Sequence, residues 1–407
     1  MNFPKFIADR IAADNAKQFS GVIGKLSVSA IALSVMVMLV AISILKGFQG
    51  EITEKITGFG LHIQIVSSKL DRSFENKPIY ITEEDLAQYR SLPEVEHIQP
   101  FITKNALLKT KEAYEGLIVK GVDDDFNWDY FAANLQSGSI PSYESPADSN
   151  KILISSHMAD LLKLEVGDQA ILHFIQYPIR ARKVEIAAIF KSGIDVVDEV
   201  FGIAYLPMLR NINGWQSEEV GGYELFVNDF EKISDVNQAL LDMISYKHDT
   251  RTIKENYPQI FDWLGSLDVN VNIIIVLMIV VAVVNMTTAL MINIFEKTKM
   301  IGLLKAFGAH QSSIRNIFLL HSIKQISKGM FWGNLLGLGI LLLQHYFSIV
   351  HLDPETYYVN AVPVLFNWWY ILLINIGTLV ACTLAMLLPT LLVSRIDPIK
   401  IINLQSD

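Results

Sequence analysis

The stretch LSVSAIALSVMVMLVAISIL, residues 26–45, holds twenty residues without a charge and lies between Lys25 and Lys46. Three more charge-free runs follow along the chain, at 269–295, 329–350 and 356–394. About twenty apolar residues span a bilayer core of ~30 Å, because an α-helix rises ~1.5 Å per residue and satisfies its backbone hydrogen bonds internally. Buried helices of soluble proteins rarely lack charges over such lengths. The chain of 407 residues, 51% of them hydrophobic, is therefore predicted to cross a membrane four times.

Lysine and arginine are concentrated in three segments that the predicted spans separate from one another. The N-terminal segment 1–25 has four basic residues, the connector 296–328 has six, and the C-terminal segment 395–407 has two. The connector 351–367 has none. Because cytoplasmic loops are enriched in Lys and Arg, we expect both termini and the 296–328 connector in the cytoplasm. The region between the first two spans then lies outside.

This outer region, residues 48–267, carries 20 basic and 34 acidic residues, and its negative charge argues against nucleic acid as a partner. Segments such as LHIQIV (61–66) and FGIAYLPM (201–208) alternate like strands, whereas DVNQALLDMI (235–244) has helical periodicity. The Ser- and Pro-rich segment 138–150 is interpreted as a loop between two lobes. We predict an α-helical integral membrane protein with four transmembrane helices and a large extracytoplasmic α+β domain inserted between helices 1 and 2.

The first span is expected to be an anchor, because it is longer than a signal-peptide core and begins 25 residues into the sequence. Helical stalks are expected where the first two spans continue into the α+β domain. The predicted segments are a cytoplasmic amphipathic segment (1–25), the first span (26–47), the extracytoplasmic domain (48–267), the second span (268–295), a cytoplasmic connector (296–328), the third span (329–350), an outer loop (351–367), the fourth span (368–394) and a cytoplasmic C-terminus (395–407).

The sequence contains no motif that would bind a nucleotide or a metal, or carry out catalysis. It has neither the G-x-x-x-x-G-K-[ST] motif of a phosphate-binding loop nor the H-E-x-x-H motif of a zinc site. Ser155-Ser156-His157 lacks the G-x-S-x-G setting of a hydrolase nucleophile. We therefore expect no catalytic residue, no metal site and no bound cofactor in this chain.

The connector after the second span, FEKTKMIGLLKAFGAH (295–310), is unusually rich in lysine, glycine and apolar residues. Ile301, Leu304, Lys305 and Gly308 lie at helical spacing, which predicts a short helix on the membrane surface that stops at Gly308. From the residues alone two interpretations stay open. The segment is either an interfacial loop held to anionic lipid by its lysines, or an apolar ridge that docks on a partner.

The segment EKTKMIGLLKAFGAHQSSIRNIFLLHSI (296–323) resembles the connector of four-span permeases that include the lipoprotein-releasing system, the macrolide exporter and the cell-division permease FtsX. Within that superfamily the chain is most similar to the lipoprotein-releasing permeases, the LolC/LolE family. Three stretches carry this further resemblance, FIADRIAADNAKQFSGVIGKLSVSAIALSVMVMLVAISILKGFQGEI (6–52), DPETYYVNAVPV (353–364) and SRIDPIKIINLQ (394–405).

In that superfamily the connector is a coupling helix that fits an ABC ATPase subunit on the cytoplasmic side. The resemblance implies eight ATPase-coupling residues, Glu296, Lys299, Ile301, Gly302, Leu304, Lys305, Phe307 and Gly308. ATP and Mg²⁺ would then be bound by the partner ATPase rather than by this chain.

The resemblance further implies a permease subunit of the cell inner (plasma) membrane that extracts acylated lipoproteins and passes them to a periplasmic lipoprotein carrier. A second permease copy or a paralogue would complete the complex. Acyl chains would enter a cavity between the first two spans, with a predicted lining of Met38, Ile42, Leu45, Phe48, Val271, Ile275 and Met278. A hairpin loop at 174–183 would dock the carrier through Tyr177, Pro178, Ile179 and Arg180.

Two alternatives share the membrane topology. One is a MacB-like exporter of small molecules or peptides, which would use the same motor geometry on another substrate. The other is an FtsX-like mechanotransmitter that regulates a periplasmic partner and transports nothing. The segment DPETYYVNAVPV counts against the second alternative, because FtsX-like proteins usually lack it.

Overall fold

The computed structural model describes residues 19–58, 62–68, 76–143 and 148–392. The predicted amphipathic segment before residue 19 and the C-terminal segment after residue 392 lie outside these described residues. Two compact units divide the chain. The helical unit comprises Met1–Gly50, Trp263–His351 and Ala361–Asp407, and the strand-rich unit comprises Glu51–Asp262 and Leu352–Asn360.

The described α-helices are α1 (Phe19–Gly58), α2 (Glu83–Arg90), α3 (Asp129–Ala133), α4 (Ser156–Leu162), α5 (Asp195–Asp198), α6 (Leu206–Asn213), α7 (Ile233–Met243), α8 (Ile253–Asn256), α9 (Pro258–Glu296), α10 (Thr298–Ala306), α11 (Gln311–Phe347), α12 (Pro354–Tyr357) and α13 (Trp368–Leu392). The described strands are β1 (Ile63–Ser67), β2 (Val95–Lys109), β3 (Tyr114–Val122), β4 (Leu135–Gly138), β5 (Lys151–Ser155), β6 (Gln169–Phe174), β7 (Arg180–Phe190), β8 (Phe201–Tyr205), β9 (Gly222–Val227) and β10 (His248–Thr252).

Four helices of the described chain, α1, α9, α11 and α13, are long and apolar enough to cross a membrane. The prediction of four transmembrane helices with an α+β domain between the first two is confirmed. Helix α1 continues to Gly58 and α9 begins at Pro258, so both helices are longer than their charge-free runs. Helix α11 ends at Phe347, because Ser348 takes a positive φ of 46° there.

Buried apolar side chains from α1, α9, α10, α11 and α13 form one cluster in the helical unit, which includes Ile31, Met38, Met286, Phe318 and Met386. Helix α11 approaches α1 through glycines spaced four residues apart. A Cβ atom added at Gly329 would lie 2.7 Å from the Cβ of Ile31, and one added at Gly333 would lie 2.7 Å from the carbonyl oxygen of Ala32. These distances are shorter than van der Waals contact, so the two helices pack this closely only with glycine at both positions.

Replacing Gly333 with alanine is therefore expected to separate α1 from α11 and to destabilise the protein by about 1–3 kcal/mol. At Gly339 on the same helix, no atom of the described residues beyond its own helical turn lies within 4 Å of an added Cβ, so Gly339→Ala is the matched control and should not be destabilising. Thermal unfolding of the purified full-length protein in detergent measures both effects. Equal unfolding midpoints for the two variants would contradict this packing.

Six strands of the strand-rich unit form a closed ring in the order β2, β3, β8, β5, β7, β6 and back to β2. One side of these strands contributes to a buried cluster with α4 and α6, with members that include Leu108, Leu172, Ile186, Met158 and Leu209. Three further strands extend this barrel from its longest strand, β2, whereas β4 pairs with β7. The first half of β2 pairs with β9, which pairs with β1 and through it with β10.

Two expectations for this unit require correction. Segment 138–150 does not separate two lobes, because β4 and β5 on either side of it both pair with β7 in the same sheet. Its residues 144–147 lie outside the described residues. The strand predicted at 201–208 ends at Tyr205, and Leu206 begins α6 with a proline in its first turn. Proline is favoured there because the first helical N–H groups have no partner within the helix.

Candidate functional site

The connector between α9 and α11 forms the short helix α10, as its sequence predicts. The helix stops where Gly308 adopts a positive φ of 83°, which glycine tolerates better than any other residue. The Gly308 N–H donates to the Lys305 carbonyl at 3.0 Å, and the Ala309 N–H donates to the Leu304 carbonyl at 2.9 Å. The turn thus satisfies carbonyl groups that the helix end leaves free and leads directly into α11.

One face of α10 is packed inside the helical unit. Ile301 and Gly302 are buried, and Leu304 is half-buried against the buried side chain of Ile317 on α11. A partner protein could not contact Ile301 or Gly302 in this arrangement, so their place here is to attach α10 to the neighbouring helices. Lys305 is also half-buried.

The opposite face of α10 is exposed and carries a ridge of three side chains spaced four residues apart. Lys299 is exposed, Leu303 is 56% exposed and Phe307 is 86% exposed. Glu296 and Gly308, two further predicted coupling residues, are exposed at the two ends of this segment. Leu303 was not among the predicted residues, although its spacing from Lys299 and Phe307 places it on their face. We call Lys299, Leu303 and Phe307 the coupling ridge.

The residues predicted to line a cavity are buried or half-buried on α1 and α9. Met38, Leu45 and Phe48 are buried, and Ile42 is half-buried. On α9, Val271 is half-buried, and Ile275 and Met278 pack against the buried cluster that contains Met38. In this arrangement none of the seven side chains is exposed, and Met38, Ile275 and Met278 pack together in one buried cluster. Their role as a cavity lining stays a prediction, which requires the helices to separate.

The predicted docking loop is the turn between β6 and β7, and its tip is exposed. Tyr177 is fully exposed, Pro178 and Ile179 are exposed beside it, and the Tyr177–Pro178 peptide bond is cis. Arg180 is exposed as well, and it also makes contacts away from the tip. Its guanidinium donates to the carbonyls of Asn211 at 2.9 Å and Ile212 at 2.8 Å, at the C-terminal end of α6. Arg180 therefore anchors the hairpin to α6, and its role in docking stays a prediction.

The described residues also bear on the serine–histidine pair noted in the sequence. Ser155 is buried and caps α4 by accepting a hydrogen bond from the Met158 N–H at 3.1 Å. His157 is exposed in the first turn of α4. Among the described residues, no group of three or more His, Cys, Asp or Glu side chains could hold a metal ion.

Comparison with known proteins gives two family matches and several relatives. The MacB-like periplasmic core domain matches residues 26–241, and the FtsX-like permease C-terminal domain matches residues 272–398. The chain is similar to the lipoprotein-releasing system transmembrane protein LolE of Haemophilus influenzae, with 22% identity over 99% of this chain and 100% of the relative. It is also similar to the lipoprotein-releasing system transmembrane protein LolC of Xylella fastidiosa (strain 9a5c), with 21% identity over 95% of each chain.

Among solved structures, the periplasmic region of MacB from Actinobacillus actinomycetemcomitans matches 52% of this chain and 98% of its own length. Its identity of 11% and TM-score of 0.35 are too low to add to the family assignment. The two family matches together cover the first span, most of the inserted domain and the three remaining spans. Because the first of them extends over more than half of the 407 residues, the chain belongs to the family of multi-pass membrane permeases that join a MacB-like periplasmic core domain to an FtsX-like permease C-terminal domain.

Proposed function

We propose that this chain is a permease subunit of an inner-membrane ABC complex that extracts acylated lipoproteins and hands them to a periplasmic carrier. The observation that carries the proposal is the alignment over 95% or more of the chain with relatives named as lipoprotein-releasing system transmembrane proteins. The FtsX-like and MacB-like matches are shared with other permeases and fit the exporter alternative as well. The relatives that align over nearly the whole chain favour lipoprotein release.

The driving energy comes, in this proposal, from a separate ATPase subunit on the cytoplasmic side, which binds ATP and Mg²⁺. The coupling ridge of Lys299, Leu303 and Phe307 is the contact surface for that subunit. An exposed phenylalanine and leucine next to a lysine suit a groove with an apolar floor and an acidic rim. The buried face of α10 then transmits displacement of the ridge to α11, because Ile301 and Leu304 pack in the clusters that α11 shares.

Release of the cargo requires such a motor because of the strength of lipid anchoring. Each buried CH₂ group contributes ~0.8 kcal/mol to membrane attachment, so a protein with several acyl chains does not leave the bilayer spontaneously on a useful timescale. In our proposal the chains enter between α1 and α9, beside Met38, Ile42 and Ile275. A second copy of this chain or a paralogue completes the pathway, and the exposed tip at Tyr177 and Ile179 meets the carrier.

Depletion of this chain tests the proposal directly. Acylated outer-membrane lipoproteins should accumulate in the inner-membrane fraction of depleted cells, and the full-length chain supplied in trans should restore their sorting. An outer-membrane protein without acyl chains serves as the control and should reach its normal location. Normal lipoprotein sorting in depleted cells would contradict the proposal and favour the exporter or the mechanotransmitter.

A further inference from the structure

Three polar side chains connect α1 to α9 just beyond the charge-free parts of both helices. The Lys46 Nζ lies 3.2 Å from Asp268 Oδ1 and donates to Gln49 Oε1 at 2.8 Å. The Gln49 Nε2 donates to Asp268 Oδ2 at 2.8 Å and to the Leu264 carbonyl at 3.1 Å. Each of the three side chains thus bonds to the other two. We call Lys46, Gln49 and Asp268 the polar clasp.

The clasp lies at the level where both helices leave their apolar runs. Lys46 directly follows the charge-free run of α1, and Asp268 directly precedes that of α9. The two side chains retain 29% and 41% of their exposure, so water reaches them but screens them less than it would on an open surface. Phe48 lies between Lys46 and Gln49 in the sequence, and its ring meets that of Trp263 edge to face with centroids 5.6 Å apart.

The residues beneath the clasp are those between which an acyl chain would have to pass. Leu45 and Met38 are buried on α1, and Ile275 of α9 packs against the cluster that contains Met38. A chain that enters from the periplasmic leaflet must first separate the helices at the level of the clasp. Because the clasp residues are partly hydrated, water can replace their hydrogen bonds when they part. Separation at this level therefore costs less than separation at the fully buried cluster.

We propose that the polar clasp holds α1 against α9 while the cargo site is empty, and that it opens when an acyl chain enters between the two helices. The identity of the cargo rests on the proposed function. The contact that these three side chains hold between α1 and α9 does not depend on the proposed function. It can be measured in the protein without cargo, carrier or ATPase.

The test follows the reaction of a buried thiol with N-ethylmaleimide in full-length protein in lipid nanodiscs. Leu45→Cys places the thiol beside Lys46, and the one native cysteine, Cys382, is buried in the cluster and serves as an internal reference. Peptide mass spectrometry distinguishes the two sites. Adding Asp268→Ala, which removes both carboxylate contacts of the clasp, should raise the labelling rate at position 45 about fivefold. The rate at Cys382 should stay unchanged.

A charge exchange provides the second variant. Lys46→Asp combined with Asp268→Lys restores an ion pair of the opposite polarity and should return labelling at position 45 towards the parent rate. If Asp268→Ala fails to accumulate in the membrane, Gln49→Leu opens the clasp independently, because it removes the hydrogen bonds of Gln49. An unchanged rate at position 45 in both opened variants would overturn the clasp, as would an equal increase at Cys382, which would indicate loosening of the whole unit. Lipoprotein sorting in depleted cells tests the proposed function, and thiol labelling tests the clasp. Either one can therefore be contradicted without the other.

Discussion

Phe307→Asp is expected to abolish association of this chain with the ATPase subunit that we propose as its partner, while the chain reaches the membrane at its normal level. Phe307 lies at the end of α10 with 86% of its surface exposed, and Leu303 is exposed one turn before it. The few side chains that dominate an interface, often large and central ones, each cost about 2–4 kcal/mol of association when truncated. Aspartate removes that contribution and places a desolvated carboxylate against an apolar groove, so the two effects add.

Co-purification of the ATPase with tagged full-length chain measures the result. Asn316→Asp is the matched control, because it adds the same charge to an exposed position of α11 in the same connector. It should retain the ATPase. Leu304→Asp should behave differently from both, since Leu304 packs against Ile317 and the charge would destabilise the helical unit itself. Retention of the ATPase by Phe307→Asp at the level of Asn316→Asp would exclude the coupling ridge as the docking surface.

The contrast between Leu303 and Leu304 shows what the connector sequence leaves undetermined. Helical spacing predicts that Ile301, Leu304 and Lys305 share a stripe, and the structure has a helix there. Apolar residues, however, occupy both faces of α10. Only the packing of Ile301 and Leu304 with side chains of α11 decides which face is covered, and those contacts are not local in sequence. Helical periodicity alone therefore does not identify the coupling ridge. The packing of α10 against α11 does.

The spans themselves were predictable because the bilayer imposes a length on every charge-free run. Even the clasp has a sequence signal, since Lys46 and Asp268 each border such a run. Two helices that cross the same bilayer place their bordering charges at similar depths. Several charges border the apolar runs, and only the packing of α1 on α9 shows that Lys46 pairs with Asp268.

The periplasmic domain, in contrast to the spans, has features that the sequence does not predict. Alternating hydrophobicity indicates most of its strands, but ring closure through β6 and β2 depends on residues distant in sequence. The sequence predicts Arg180 as an exposed hairpin cation, but it does not predict the hydrogen bonds of Arg180 to the end of α6. No sequence pattern marks Glu224 as a buried charge. In the sheet it is paired with Gln64 of β1 on one side and with Gln99 of β2 on the other.

Lys120→Met is expected to destabilise the periplasmic domain by about 3–5 kcal/mol, because it leaves the Glu224 carboxylate buried without its cation. The Lys120 Nζ lies 2.9 Å from Glu224 Oε1, and the two side chains are 2% and 0% exposed. Gln99 donates to the other carboxylate oxygen at 2.9 Å. Burial raises the pKa of Glu224 and lowers the pKa of Lys120, and the attraction between the two charges opposes both shifts.

Pulse proteolysis of the full-length protein in increasing urea measures the free energy of unfolding of this domain. Lys232→Met is the matched control, because it removes the exposed pair of Lys232 and Glu94, 3.7 Å apart, and should cost less than about 1 kcal/mol. The double variant Lys120→Met with Glu224→Leu should recover most of the loss, since it removes the stranded charge together with its partner. If Lys120→Met were no more destabilising than Lys232→Met, the pair would have to be reached by water, and β1, β2, β3 and β9 would not be held together by a buried charge.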